Sequence, residues 1–203
     1  MLWMPRGRSV AYKLILASAS PRRRKLLEDA GFTFTVQPAN IEEQLPESGD
    51  PEKTAIANSL VKARWVARQH DSGLVVGADT VVSYDSRIIG KPVDEKDAIS
   101  ILQALSGTRH KVVTGIAIIE PSTGREVTAA ETTGIVMRQM SDEEIRAYVD
   151  SGEATGKAGA YAIQETGDRF VEKIEGSFSN VVGFPIDLFR KLLADFTGEP
   201  GDG

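Results

Sequence analysis

The run KLILAS, residues 13–18, is apolar at every position from Leu14 to Ala17, as in a short strand buried on both faces. SPRRRKLLEDAG follows and reads as a helix, with Ser20 as its cap, Pro21 at the first helical position and Gly31 as its stop. TFTV predicts a short strand, and NIEEQLPESGD an acidic, proline-containing loop. Asp50 and Pro51 then open an amphipathic helix that runs through EKTAIANSLVKARWVARQH. GLVVGADTVVSY and RIIGKP predict two strands turning near Asp85-Ser86, and DEKDAISILQALSG a helix closed by Gly107. HKVVTGIAIIE and REVTAAETTGIVMR pair as a hairpin across PSTG. In SDEEIRAYVDSG, Ser141 and Glu144 have capping-box spacing. GAYAIQ and RFVEKIEGS read as later strands, and PIDLFRKLLADF as the last helix, with Pro185 near its start. Strands and helices alternate at first and strands then cluster. That order predicts an α/β fold, a mixed, twisted β-sheet flanked by helices. A single domain is expected over 13–197, between a flexible N-terminal extension (1–12) and a frayed tail (198–203).

Composition narrows the chemistry. Cysteine is absent, which excludes disulfides, thiol catalysis and cysteine-ligated zinc. His70 and His110 are the only histidines, too few for a multi-histidine metal site. No apolar run approaches the roughly 20 residues that span a bilayer, and no apolar h-region marks a signal peptide. The expected location is therefore the cytoplasm, with no membrane partner. Charge is distributed unevenly. Residues 1–27 hold seven basic residues and no acidic one, so 17 basic and 29 acidic residues lie beyond them. A basic patch on an acidic body suits a compact anion better than a long nucleic acid, and no stable nucleic-acid partner is expected.

The arginines after Ser20 break a local rule. A helix N-terminus carries a positive field, and cations there are unfavourable unless an anion joins them. Free N–H groups at a strand-to-helix turn make an anion site, and guanidinium adds paired donors for phosphate. Arg22 and Arg23 are the candidates, and Arg24 reads as solvent-exposed. A solvated helix face would produce the same three arginines at a cost of about 0.3–1 kcal/mol each. In GADTVV, Asp79 ends the apolar run LVVGA, where a carboxylate needs a partner or a metal, and Gly77 admits close backbone approach. Glu42 and Glu43 in IEEQ offer oxygen ligands to Mg²⁺ or Mn²⁺, one of them toward any given site. Lys62 in LVKAR reaches off a helix, Lys91 sits in the fixed loop GKP, and Lys157 and Gln164 flank a run of small residues. No Gly-rich Walker loop is present, which argues against a P-loop motor or kinase.

Taken together, LILASASPRR, IEEQ, LVKAR, VVGADTVV, IIGKP, LSGTRHKVVTGIAI, YVDSGEATGKAGAYAIQ and VEKIEGSFSNVVGFPI follow one another in the order and spacing of a known family. Over roughly residues 13–190 the chain resembles the Maf family of nucleotide pyrophosphatases. The resemblance implies a deep nucleotide-binding cleft in a Maf/inosine-triphosphatase-like fold, a divalent cation (Mg²⁺ or Mn²⁺), and hydrolysis of nucleoside triphosphates to monophosphate and pyrophosphate. By motif, Asp79 matches the family's proposed proton acceptor, with a share of the metal held by Glu43 as the alternative or additional role that sequence does not separate from it. Ser18, Arg22, Arg23, Lys62, Lys91, Thr80 and Gln164 match substrate-binding positions. Ala162 stands where relatives often have glycine, which narrows the expected pocket. A homodimer and a link to septum formation and cell-division arrest are implied by the resemblance alone.

Within the resemblance, Arg22, Thr80 and Gln164 match the branch that hydrolyses dTTP and UTP, where a branch acting on 7-methyl-GTP has tryptophan, glutamine and glutamate. Gln164 can accept from a pyrimidine N3–H and donate to O4, and an arginine at O4 would reject the amino group of cytosine. Ordinary and modified pyrimidine nucleotides both fit this expectation. Two rival readings stay open at the level of sequence: a nucleotide- or nucleic-acid-binding division regulator without turnover, and a pyrophosphatase for inosine-type purine triphosphates.

Overall fold

The computed structural model describes residues 12–41, 49–163 and 166–198. β1 (Leu14–Leu16) is buried throughout, as its apolar run demands. It leads into α1 (Pro21–Asp29), where Ser20 Oγ accepts the Arg23 N–H at 3.4 Å and Pro21 occupies the first turn. β2 (Phe34–Val36) follows, and then α2 (Pro51–Ala67), capped by Asp50 through the N–H groups of Glu52 and Lys53. β3 (Leu74–Tyr84) and β4 (Arg87–Ile89) are joined at Asp85 and Ser86, whose φ values of 48° and 61° are those of the tight two-residue turn the sequence predicts. α3 (Glu95–Leu105) precedes the long hairpin of β5 (Arg109–Glu120) and β6 (Arg125–Met137). α4 (Asp142–Asp150) carries the predicted capping box of Ser141 and Glu144. β7 (Val171–Glu175), α5 (Phe178–Val182) and α6 (Ile186–Thr197) complete the described chain.

Seven strands form one sheet in the order β2-β1-β3-β5-β6-β7, with β4 also paired to β3. β1 runs parallel to β2 and β3, and the remaining pairs are antiparallel, so the sheet is mixed as expected. α2 lies on one face, over Val75, Ala117 and Ile119. α6 covers the other face, where Phe184, Phe189 and Leu192 meet Leu74, Val76, Ile116 and Ile118. α2 lies very close to the sheet. A Cβ at Gly77 would collide with the Ser59 carbonyl, and one at Gly115 with the Ala55 carbonyl. Two glycines on neighbouring strands thus let the helix backbone settle onto β3 and β5.

One edge of β3 is only partly covered. β1 pairs with Leu74, Val75 and Val76, and β4 pairs with Val82, Ser83 and Tyr84. Between them, residues 77–81 have no strand partner on that edge, while β5 continues along the other. Both faces of the sheet open onto this gap, which lies just beyond the carboxyl end of β1. Ligands of open α/β sheets bind in crevices of this kind.

One sequence expectation needs correction. GAYAIQ is not a strand over its described part. Ala158–Ala160 forms a short 3₁₀ turn, because Gly156, Gly159 and Ala160 take φ values of 71°, 72° and 60°, which no strand accommodates. Asp79 ends the apolar run but not the strand. It lies in the middle of β3, whose hydrogen bonding to β5 carries the chain straight through the polar interruption. α5 was not anticipated, since five residues are too few to show helical periodicity. The expected extension 1–12 lies, except for Tyr12, outside the described residues, as does all of the expected tail beyond Gly198. No helix among the described residues is long and apolar enough to cross a membrane.

Candidate active site

A cavity of about 400 Å³ occupies the gap in the sheet. Its walls come from the β1–α1 turn (Ser18, Arg22, Arg23), α2 (Lys62), β3 (Asp79, Thr80, Val82), the loop after β4 (Lys91), the segment from Gly156 to Ile163, and the end of α5. Adjacent residues of a strand point to opposite faces. Asp79 and Thr80 therefore reach the same cavity from opposite sides of the sheet, which is possible only because the strand edge between them is bare.

On the α2 side, Asp79 is only 4% exposed. Lys62 Nζ donates to its Oδ1 at 2.6 Å, and Asn58 Nδ2 to its Oδ2 at 2.9 Å. Asn58 and Lys62 are four residues apart and share one face of α2. The close approach of α2 at Gly77 and Gly115 lowers both side chains onto the carboxylate. The ammonium supplies the counter-charge that burial of the carboxylate requires. Each carboxylate oxygen carries one hydrogen bond and keeps a lone pair, a hard oxygen donor of the type Mg²⁺ and Mn²⁺ prefer. Among the described residues no group of three or more His, Cys, Asp or Glu surrounds it. A Mg²⁺-like ion accepts that, since it binds through one or two carboxylates with water and phosphate as its other ligands.

On the other side, Arg23 joins three walls. Its Nε donates to the Gly183 carbonyl at 2.9 Å, Nη1 to Ser18 Oγ at 3.2 Å and Nη2 to Thr80 Oγ1 at 3.1 Å. Arg22 also lines the cavity and makes no hydrogen bond or ion pair among the described residues. Arg24 is exposed and pairs with Glu28 at 2.7 Å, as its position predicted. The opening tension of this sequence is thus resolved by division of labour: one arginine organises the cavity, one faces into it, and one is solvated.

The lining is strongly cationic. Arg22, Arg23, Lys62, Lys91 and Lys157 face it against the single carboxylate of Asp79, among the described residues. Its apolar part lies on the Thr80 side. Val82 and Val112 share that face and are cross-strand partners, and Tyr161 and Val182 stand beside them. Behind Tyr161, His110 is fully buried and its Nε2 lies 2.7 Å from the Tyr161 hydroxyl. Burial pushes the His110 imidazole down from 6.5 to about 4 and the Tyr161 phenol upward. A polyanion toward α1 and the lysines, with a flat ring against the valines, is the ligand shape this cavity fits.

The family model described as Maf-like protein matches residues 13–196. The chain belongs to the Maf family. Among its Maf relatives, a protein of Bdellovibrio bacteriovorus named dTTP/UTP pyrophosphatase is 45% identical over 193 residues, covering 90% of this chain and 98% of the relative. One of Thermococcus gammatolerans with the same name is 48% identical over 179 residues, covering 88% and 94%. A solved structure of a nucleoside-triphosphatase / dITP/XTP pyrophosphatase from Mycobacterium abscessus superposes with a TM-score of 0.41 at 18% identity, over 63% of this chain and 75% of that one.

Of the site residues expected from the Maf motifs, Ser18, Arg22, Arg23, Lys62, Asp79, Thr80 and Lys91 all line the one cavity, and Ala162 lines it too. Glu43 and Gln164 lie outside the described residues, as does Glu42. Within the described residues the structure joins Thr80 to Arg23, not to Arg22 with which the sequence reading grouped it. Asn58 and Lys157 were missed as site residues. Asn58 was discoverable, because it precedes Lys62 by one helical turn. Lys157 stands out in the sequence only as a neighbour of small residues, and the 3₁₀ turn that follows it brings it to the cavity.

Proposed function

We propose that this protein hydrolyses dTTP and UTP to the nucleoside monophosphate and pyrophosphate. The observation that carries the reading is the Asp79–Lys62 pair, held in a cavity where, among the described residues, five cationic side chains and one carboxylate stand beside an apolar wall. Membership of the Maf family, with close relatives named for this activity, supports it.

In this reading the triphosphate lies along Lys91, Lys157 and the side chain of Arg22, whose backbone N–H is the first-turn donor of α1 that Pro21 and the Ser20 cap leave uncommitted. Asp79 orients a water molecule and accepts its proton. The water oxygen bonds to the α-phosphorus, the bond from that phosphorus to the bridging oxygen breaks, and pyrophosphate leaves with the electron pair. Lys62 keeps Asp79 oriented, and the cationic lining offsets charge developing on the leaving oxygen. A bound Mg²⁺ or Mn²⁺, held by Asp79 and Glu43, supplies further neutralisation of phosphate charge. The base packs against Val82, Val112, Tyr161 and Val182. Thr80 and Gln164 read its edge.

Turnover in ¹⁸O-labelled water tests the position of attack. Label in the nucleoside monophosphate is the expected result. Label in orthophosphate, with nucleoside diphosphate as co-product, contradicts it.

A further inference from the structure

A chain of hydrogen bonds runs behind the Thr80 wall of the cavity. Thr80 and Thr114 are directly opposed in the β3–β5 register, with their hydroxyl oxygens 2.9 Å apart. Thr114 is fully buried and donates to the backbone carbonyl of Asn180 at 3.2 Å. On the other flank, Arg23 Nη2 donates to Thr80 Oγ1.

The direction of every bond in this chain is fixed by chemistry. A carbonyl only accepts, so it takes the single proton of the Thr114 hydroxyl. Thr80 must then donate to Thr114. A guanidinium only donates, so Arg23 occupies one of the two lone pairs of Thr80. One lone pair is left to face the cavity. Thr80 therefore offers a ligand an acceptor and no donor.

The apolar lining locates the group that meets this acceptor. Val82 and Val112 share the Thr80 face of the sheet, whereas Lys62 and Asp79 meet on the opposite one. A heterocyclic base against the valines lies next to Thr80, with its phosphates toward the cations. We infer that Thr114 is a positioning residue for base selection: by taking the Thr80 proton, it makes Thr80 a reader of a ring N–H, the N3–H of uracil and thymine. The unprotonated N3 of cytosine would set acceptor against acceptor, and such a mismatch in a buried site is strongly rejected. This inference rests on the pyrimidine triphosphatase reading above.

The test is the ratio of kcat/KM for UTP over CTP. Thr114→Val keeps the shape and removes the acceptor, so the Thr80 hydroxyl can turn its proton to the cavity and meet cytosine N3. The ratio is expected to fall roughly tenfold or more, largely through KM for CTP. Thr114→Ser keeps the hydroxyl and should keep the ratio. In a Thr80→Val background, Thr114→Val should change the ratio no further, because its effect passes through Thr80. An active Thr114→Val protein with an unchanged ratio, or additive effects in the double variant, overturns the inference; Thr114→Ala is read in the same way if the valine variant does not fold. Release of no pyrophosphate by the unmodified protein from any nucleotide would instead remove the proposed function, and the base preference is then read from the binding of UMP against CMP.

Discussion

Lys62 Nζ lies 2.6 Å from Asp79 Oδ1, and both side chains are almost wholly buried. The pair has a structural role and a chemical one, and paired variants separate them. Asp79→Asn should reduce kcat by roughly 10²-fold or more, with nucleotide binding largely kept. It also breaks the buried ion pair from one side, as Lys62→Met does from the other, and each should cost about 3–5 kcal/mol of stability. Asp79→Asn combined with Lys62→Met should recover much of that stability in urea unfolding and none of the turnover. Recovery of activity in the double variant would remove Asp79 from the chemistry.

Arg22 and Arg23 are neighbours with different work. Arg22→Ala should leave the melting temperature within a degree or two of the parent, since Arg22 has no partner among the described residues, and should raise KM roughly tenfold or more. Arg23→Ala unlinks Ser18, Thr80 and Gly183 and should lower both stability and kcat/KM. Calorimetry alongside steady-state kinetics separates the two patterns. Equal loss of stability in both variants would contradict the division.

Gly77 sits where α2 meets β3. Gly77→Ala should displace the helix that carries Asn58 and Lys62. The overpacking should cost about 1–3 kcal/mol. Misplacement of the Asp79 partners should lower kcat by up to about 10²-fold. A fully active, fully stable Gly77→Ala protein would show that the close approach is not what seats the pair.

His110 makes stability depend on pH. Its folded value is about 4 against 6.5 for the free side chain, because burial disfavours the imidazolium. The unfolded chain therefore takes up this proton first as pH falls. The penalty begins near pH 6.5, grows until about pH 4, and reaches about 3 kcal/mol. His110→Gln should be less sensitive to pH over this window than the parent, measured by urea unfolding at pH 7 and pH 4.5. Parallel curves for the two proteins would contradict a neutral buried His110.

Much of this molecule was legible in its sequence because the signals were local. Ser20-Pro21, Asp50-Pro51 and the Ser141 capping box each fix a helix start through neighbours three residues away or fewer. Asp85-Ser86 fixes a hairpin in the same way. What was not legible depends on distant register. That Thr80 lies opposite Thr114 follows from the alignment of β3 with β5, and no local pattern records it. The cavity itself exists because β1 stops pairing at Val76 and β4 begins at Val82. GAYAIQ was misread because left-handed backbone at Ala160 is set by its surroundings, and alanine gives no hint of it. Likewise nothing local distinguished Arg22 from Arg23: one helical step decides which guanidinium meets Thr80 and which faces the cavity.

The most direct test of the account is release of pyrophosphate by the unmodified protein with Mg²⁺ and UTP, dTTP, CTP or 7-methyl-GTP, followed together with the nucleoside monophosphate. The account predicts stoichiometric monophosphate and pyrophosphate from UTP and dTTP, with kcat/KM well above that for CTP and 7-methyl-GTP. Comparable rates for all four nucleotides, or nucleoside diphosphate and orthophosphate as the first products, would contradict it.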